Sequence, residues 1–254
     1  MTWSAQQYST FENERTRPVR DLVAALGQQR ISNAVDLGCG PGNSTEVLAA
    51  RYPGALVTGL DSSDDMVKAA RERLPDIPFA LADIARWAPS EPYDVILANA
   101  SLQWVPDHDQ LYPRLVSFLK PGGSLAVQTP DNLEEPAHSK AREIAAQGPW
   151  AAKTGSVRHP PRHSAWHYYE LLAEHCSHVD VWRTTYFHPL SGGPQAVVEW
   201  FKGSALRPYL AVLDEQEQAG FLQAYLEAMT QAYPASSDGK VLLPFPRLFL
   251  IATR

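Results

Sequence analysis

A doubly wound α/β fold on a mostly parallel sheet is what this sequence predicts, and three observations carry the prediction. Val35-Asp36-Leu37 is a short strand pattern that ends in the glycine-rich turn Gly38-Cys39-Gly40-Pro41-Gly42 and passes directly into a helix at Asn43-Ser44-Thr45. Strand and helix patterns then alternate regularly as far as Thr129, and such alternation builds parallel neighbours. From Pro130 the regularity stops. Proline- and histidine-bearing pieces such as Arg158-His159-Pro160-Pro161-Arg162-His163 interrupt short helical runs, the pattern of an inserted cap or lid. The expected division is therefore 1–130, an N-terminal flap helix with a ligand-binding core, and 131–254, a helical cap with the last strands of the same sheet.

Composition bounds the function. With 254 residues and 44% hydrophobic content, the chain can bury a full core. Two cysteines, Cys39 and Cys176, make no disulfide framework, and Met1-Thr2-Trp3-Ser4 lacks the basic-then-apolar start of a signal peptide, so a cytoplasmic protein is expected. No apolar run approaches the ~20 residues of a membrane span, so no membrane is expected as a partner. A net charge of −6 without a Lys/Arg cluster argues against nucleic acid. It also means that an anionic substrate would be held by locally placed arginines, against the overall field.

Taken in order, the first segment carries aromatics at Trp3, Tyr8 and Phe11, then Arg15, Arg17 and Arg20, then Val19, Leu22, Val23 and Leu26 at helical spacing. Gly27 reads as its C-cap. Arg15 and Arg17 suit either a solvated helix face or a ligand, and the aromatic lead-in favours a flap over a site. In the turn, Gly38, Gly40 and Gly42 permit positive φ and close approach of a ligand at a helix N-terminus. The spacing is G-x-G-x-G, whereas the dinucleotide fingerprint is G-x-G-x-x-G. Asp36 would repel a phosphate and suits an ammonium group. S-adenosylmethionine is the cofactor this suggests, while the same turn also serves as a plain tight connection between strand and helix.

Ala55 to Leu60 reads as a buried strand with Asp61 at its carboxyl end, where one carboxylate can hold both hydroxyls of a ribose; a helix-capping role is the alternative. Ser62 to Met66 caps the following helix, with Met66 placed to touch an adenine ring. Pro78 to Ile84 is a third strand whose Asp83 and Ile84 suit the adenine amino group and face. Tyr93 to Ala100 is the fourth strand, with Asn99 at its carboxyl end, and Ser101 to Asp107, containing Gln103 and Trp104, walls the reacting centre. His108 reads as a solvated first-turn or capping residue rather than a base. A helix over Leu111 to Leu119, a turn at Lys120-Pro121-Gly122-Gly123 and a strand over Ser124 to Thr129 follow. Beyond these come helices over Ala165 to Cys176, Gln195 to Gly203 and Asp214 to Tyr233, and strands over Val179 to His188 and Leu248 to Ala252. The histidines are read as surface or core residues without metal spacing, and no metal is expected.

Together, Val35 to Thr45, Asp61, Ala82-Asp83-Ile84 and Asn99 resemble the class I S-adenosylmethionine-dependent methyltransferases. Further stretches resemble one subfamily, the trans-aconitate 2-methyltransferases: Phe11 to Pro18, Asn99 to Asp107, Val181 to Tyr186, Leu206-Arg207-Pro208 and Phe245 to Phe249. The resemblance implies a seven-stranded sheet with an antiparallel last strand, and methyl-ester formation on a carboxylate of trans-aconitate, a small tricarboxylate. Asn99, Gln103 and Trp104 would then shape the reaction path. Guanidinium groups grip carboxylates bidentately, so Arg15, Arg17, Arg183, Arg207 and Arg247 are candidate clamps, each of which could equally make a surface ion pair. A methyltransferase for another small acid or a hydroxyl compound, or a non-catalytic cofactor- or dinucleotide-binding module, are the competing readings.

Overall fold

The computed structural model describes residues 12–157 and 162–254. The aromatic lead-in at Trp3, Tyr8 and Phe11, the side chain of Arg15 and the stretch Arg158 to Pro161 lie outside the described residues. The strands are β1 (Asn33–Leu37), β2 (Leu56–Asp61), β3 (Phe79–Leu81), β4 (Tyr93–Asn99), β5 (Leu119–Pro130), β6 (His178–Leu190) and β7 (Val241–Thr253). The helices are α1 (Glu12–Ala24), α2 (Asn43–Arg51), α3 (Asp64–Arg73), α4 (His108–Ser117), α5 (Pro136–Gln147), α6 (Ala151–Thr154), α7 (Ala165–Ala173), α8 (Pro194–Lys202), α9 (Arg207–Leu210) and α10 (Glu215–Ala232). The strands form one sheet in the order β3-β2-β1-β4-β5-β7-β6. Its ladders from β3 through β5 are parallel, and β7 pairs antiparallel with β5 from Ser124↔Thr253 to Pro130↔Arg247.

The chain divides into two compact units. Unit 1 comprises Met1–Pro130, Arg162–Thr184 and Arg247–Arg254; unit 2 comprises Asp131–Pro161 and Thr185–Pro246. The segment 162–184, with α7, thus belongs with the sheet core and not with the cap helices. In unit 1, β1, β4 and β5 are covered on both faces and read as nearly continuous apolar runs, as parallel strands do. Val35, Leu37, Ile96, Ala98, Leu125 and Val127 pack with Tyr112 and Leu115 of α4 and Leu172 of α7. At the amino ends of the strands, Asp94 Oδ2 accepts from the Ser32 and Asn33 amides at 2.7 and 3.0 Å and from Lys120 Nζ at 2.9 Å, tying β1, β4 and β5 together. The chain order leaves β1 between β2 and β4. The loops after β1 and β4 therefore diverge, which is the switch point where open α/β sheets bind ligands.

Several elements differ from their sequence reading. α1 ends at Ala24, three residues before Gly27. The Lys120 to Gly123 turn is absorbed into β5, because Gly122 donates to the Arg254 carbonyl and Arg254 donates to that of Gly123. Those partners are remote in sequence. β3 is only three residues long, and β7 is more than twice the length expected for the last strand. α3 starts at Asp64 with Ser63 as N-cap, but no side chain caps it; Asp61 Oδ1 accepts the Ser63 amide instead, at 2.9 Å.

Unit 2 is a helical cluster in which Val197, Val198 and Phe201 of α8 meet Phe221, Tyr225 and Met229 of α10 around Trp150. Leu222 and Leu226 flank that stripe half-buried. α10 starts with a reciprocal capping box: Asp214 Oδ1 accepts the Glu217 amide and Glu217 Oε2 accepts the Asp214 amide, both at 3.0 Å. The first turn of α5 is clasped by two tyrosines. Tyr233 Oη accepts the Ala137 amide at 3.0 Å, and Tyr225 Oη donates to the Ala137 carbonyl at 2.8 Å. Because Tyr225 is wholly buried, Tyr225→Phe should cost about 0.5–1.5 kcal/mol. A shift of the urea midpoint at unchanged m-value checks this.

Candidate active site

The glycine turn is held by acceptors at the carboxyl end of β2, the Leu60 carbonyl and the Asp61 carboxylate. The Gly38 and Cys39 amides donate to the Leu60 carbonyl at 2.7 and 2.9 Å, and the Gly40 amide donates to Asp61 Oδ2 at 2.9 Å. Gly38, Gly40 and Gly42 take φ of 72°, 53° and 94°, in the left-handed region. A Cβ on Gly38 would drive into Ser101, whose Oγ donates to the Leu37 carbonyl at 2.6 Å and so carries the loop after β4 against the turn after β1. A Cβ on Gly40 would meet nothing within 4 Å, so the turn faces open space there. That is a cradle closed underneath and open above.

Asp36 closes the underside. Strand alternation turns it away from Val35 and Leu37 toward α2, where its Oδ2 accepts from Ser44 Oγ and Thr45 Oγ1, both at 2.7 Å. It lies deeper than the sequence suggests, with no exposed surface, and its buried Oδ1 has no hydrogen-bond partner. A contact to an ammonium group arriving from solvent would have to reach past the turn. The position instead places a carboxylate directly behind the turn amides. Burial raises its carboxyl pKa to about 6, against the two hydroxyl hydrogen bonds and with a further push from Asp61. Burial, followed by the nearness of Asp36 and Asp61, also holds the Cys39 thiol far above its ordinary pKa.

Of the remaining cofactor candidates, Asp61 and Ile84 lie against this turn. Asp61 uses both oxygens on backbone amides, each oxygen keeping a second lone pair. Met66 is buried, Ser62 is exposed, and Ile84 packs in the core within 3.6 Å of a Cβ built on Gly38. Asp83 is exposed and accepts the Ala85 amide at 2.9 Å. Asn99 ends β4 with a buried, unpartnered Oδ1, next to Gln128, its register partner on β5. The loop after β4 forms a single 3-10 turn, Leu102–Trp104. There Gln103 Nε2 donates to the Ala100 carbonyl at 2.7 Å while its buried Oε1 has no partner. Trp104 is 56% exposed.

Of the four arginine candidates whose side chains are described, Arg17, Arg183, Arg207 and Arg247, the last alone is buried, at 7% exposure. Its Nη1 donates to Gln128 Oε1 at 3.3 Å, beside the end of β5. Arg17 and Arg183 are exposed in unit 1, and Arg207 is exposed on α9 of unit 2. Gln128, wholly buried with Nε2 unpartnered, was not among the sequence candidates, although it follows the apolar run of β5 and is the register partner of Asn99. Arg162, whose Nη1 reaches the Gln103 carbonyl at 3.4 Å, lay hidden in the irregular stretch.

Two histidine readings are corrected. His108 is buried and not solvated: Nδ1 meets Tyr168 Oη at 2.7 Å and Nε2 meets the Leu102 carbonyl at 2.9 Å. With both ring nitrogens engaged it braces the 3-10 turn and offers no free base. His163 and His167 are four residues apart, and their ligand atoms gather with an Asp109 carboxylate oxygen within 4.8 Å of one another.

Residues 34–123 match the methyltransferase domain family. Over the whole of both chains, the sequence is 51% identical to a trans-aconitate 2-methyltransferase of Rhizobium leguminosarum bv. trifolii. The chain belongs to the trans-aconitate 2-methyltransferase family. Its fold is similar to the YcgJ protein of Bacillus subtilis, with a TM-score of 0.61 at 11% identity, covering 94% of this chain and 98% of that one. It is also similar to Haemonchus contortus phosphoethanolamine N-methyltransferase 2, whose structure holds S-adenosyl-L-methionine, with a TM-score of 0.54 at 17% identity over 93% of this chain and 52% of that one. These similarities confirm the expected Rossmann-like class I fold.

The turn also makes a pH prediction. Asp36 ionises near 3.8 when unfolded and near about 6 when folded, so the folded state binds its proton more tightly. Its contribution favours folding below pH ~4, is lost as pH rises to about 6 and stays lost above that, at a cost of about 3 kcal/mol. Asp36→Asn should therefore be more stable than the parent at pH 7 and should lack that part of the pH slope. Urea titrations of both proteins at pH 4, 5, 6 and 7 check it.

Proposed function

We propose that this chain transfers a methyl group from S-adenosylmethionine to a carboxylate of trans-aconitate, giving the methyl ester and S-adenosylhomocysteine. The observation that carries this reading is Arg247, a guanidinium buried at the carboxyl end of β5 in a family named for a tricarboxylate substrate. In a chain of net charge −6 a trianion needs such a local cation. Gln128 Nε2 is a second donor there, buried without a protein partner. A cytoplasmic location belongs to the same reading, supported by the free thiols of Cys39 and Cys176. Among the described residues no helix is long and apolar enough to cross a membrane.

The residues fit the cofactor: the open face at Gly40 admits its backbone-hugging portion, and the buried acceptor on Asn99 has no protein partner. Gly38, Gly40, Asp61, Met66 and Ile84 would hold it, with Asp83 at the adenine edge. When bound, it supplies an electrophilic methyl group on a cationic sulfur. The chain's own task is binding and orientation. Asp36 and Asp61 place negative charge behind and beside the turn, which favours a cationic ligand. Arg247 and Gln128 hold a carboxylate, while Asn99 and the Gln103 segment fix the direction of approach. Orientation of this kind supplies on the order of 7–11 kcal/mol. A carboxyl group has a pKa near ~4, so the acceptor is already an anion at neutral pH and no base is needed.

Turnover with labelled S-adenosylmethionine against di- and tricarboxylates tests the assignment, with trans-aconitate expected to give the highest kcat/KM and a monocarboxylate very little. Arg247→Gln should lower kcat/KM for trans-aconitate by about 10- to 150-fold, the loss of a charge-assisted bond, with cofactor affinity unchanged. Equal kcat/KM for parent and variant would remove Arg247 from the clamp.

With no base in the mechanism, kcat should stay flat between about pH 6.5 and 8.5, where a working histidine would titrate. The kcat/KM for cofactor should nevertheless fall below about pH 6, as Asp36 takes up its proton and the field behind the turn is lost. Initial rates across pH for the parent and Asp36→Asn separate the two, since that acid limb should vanish in the variant.

A further inference from the structure

We propose a site for a borderline transition-metal ion such as Zn²⁺, formed by Asp109, His163 and His167 in unit 1. The three residues come from two segments that pack together. Asp109 lies in the first turn of α4, His167 in the first turn of α7, and His163 four residues before His167. One ligand atom from each lies within 4.8 Å of the other two. Ligand atoms around a tetrahedral zinc, with bonds of about 2.0–2.2 Å, stand roughly 3.5 Å apart, so small side-chain rotations suffice.

The contact between His167 and Asp109 is what asks for a cation. Nε2 of His167 and Oδ1 of Asp109 stand 2.8 Å apart. This buried nitrogen makes no hydrogen bond, so the contact is a close approach of a ring nitrogen and a carboxylate oxygen without a directional bond between them. Two electron-rich atoms at that distance with no proton on the line between them repel. A metal ion set to one side of the line would accept both lone pairs. The imidazoles of His163 and His167 are stacked, 4.0 Å between centroids and 14° between planes, a packing that two imidazolium cations would oppose and that neutral, ligating rings allow.

The surroundings hold these groups in place. Ser164 Oγ accepts the His167 amide at 3.1 Å and fixes the start of α7. The His108 contact to Tyr168 joins the residue before Asp109 to the residue after His167. Two imidazoles and one carboxylate suit zinc, nickel or copper and not magnesium or calcium, which take oxygen ligands. Three protein ligands leave a fourth position open. The Asp109 side chain is 69% exposed, so an ion can enter from solvent. The site shares no residue with the cradle and needs no cofactor.

Calorimetry of chelator-treated full-length protein with Zn²⁺ should saturate at one ion per chain. Co²⁺ should give visible bands of a nitrogen- and oxygen-ligated low-coordinate site. His163→Gln combined with His167→Gln should abolish both signals, and Asp109→Asn should weaken Zn²⁺ by at least about 10- to 100-fold. The pair His175→Gln and His178→Gln should bind as the parent does. Absence of stoichiometric binding in the parent overturns the proposal, as does undiminished binding in the double histidine variant. Asp109→Asn, a change at an exposed position, keeps the test decisive if the histidine variants do not fold.

Discussion

Two carboxylates facing backbone amides and hydroxyls hold the glycine turn, and the rest of the candidate site depends on them. Asp61 takes the Gly40 amide on one oxygen and the Ser63 amide on the other, so a single side chain joins the turn after β1 to the start of α3. Asp36 grips Ser44 and Thr45 and so sets the first turn of α2. A turn with three residues at positive φ would otherwise be the loosest part of the chain. Here its Gly38, Cys39 and Gly40 amides are all bonded, to the Leu60 carbonyl and to Asp61. The arrangement costs stability at neutral pH, because Asp36 is ionised in a buried place, and that cost is spent on a negative field where a cationic ligand would lie.

The second constraint is the placement of polar groups at the carboxyl ends of buried strands. The buried stretches Val95–Ala98 of β4 and Leu125–Val127 of β5 are apolar, yet each is followed at once by an amide side chain, Asn99 and Gln128, which are partners in register. Burying such groups without partners costs about 1–3 kcal/mol each. Asn99, Gln103 and Gln128 in one unit each carry such an unpartnered atom, which is what the proposed substrate site draws on. Arg247 arrives beside them from β7, a strand distant in sequence, through its antiparallel pairing with β5.

This explains which site residues were legible. Asp61 and Asn99 stand out because a polar residue closing an apolar run has a fixed meaning in an open α/β sheet. Gln128 follows the apolar run Leu125–Val127 but is itself followed by Thr129 and Pro130, so local pattern does not single it out as the polar residue that closes the strand. The five candidate arginines are chemically equal in the sequence. What separates the four whose side chains are described is burial, and burial depends on strand pairing and packing that local pattern does not contain. His108 shows the reverse error: a proline turn and an N-terminal position suggest solvent, while Tyr168, sixty residues away, closes over it.

The sequence by itself determined the class of fold, the strand-turn-helix cradle, the acids at the strand ends and the family, because each rests on local periodicity, on glycines where φ must be positive, or on similarity along the chain. Tertiary structure decided the rest. It extended β5 through the hydrogen bonds of Gly122 and Gly123 to Arg254, assigned residues 162–184 to the sheet core, sank Asp36 beneath the turn, buried Arg247 while leaving Arg17, Arg183 and Arg207 exposed, and brought Asp109 to His163 and His167. Each of these is a contact between residues remote in sequence, where hydrogen-bond satisfaction and burial, and not local propensity, set the outcome.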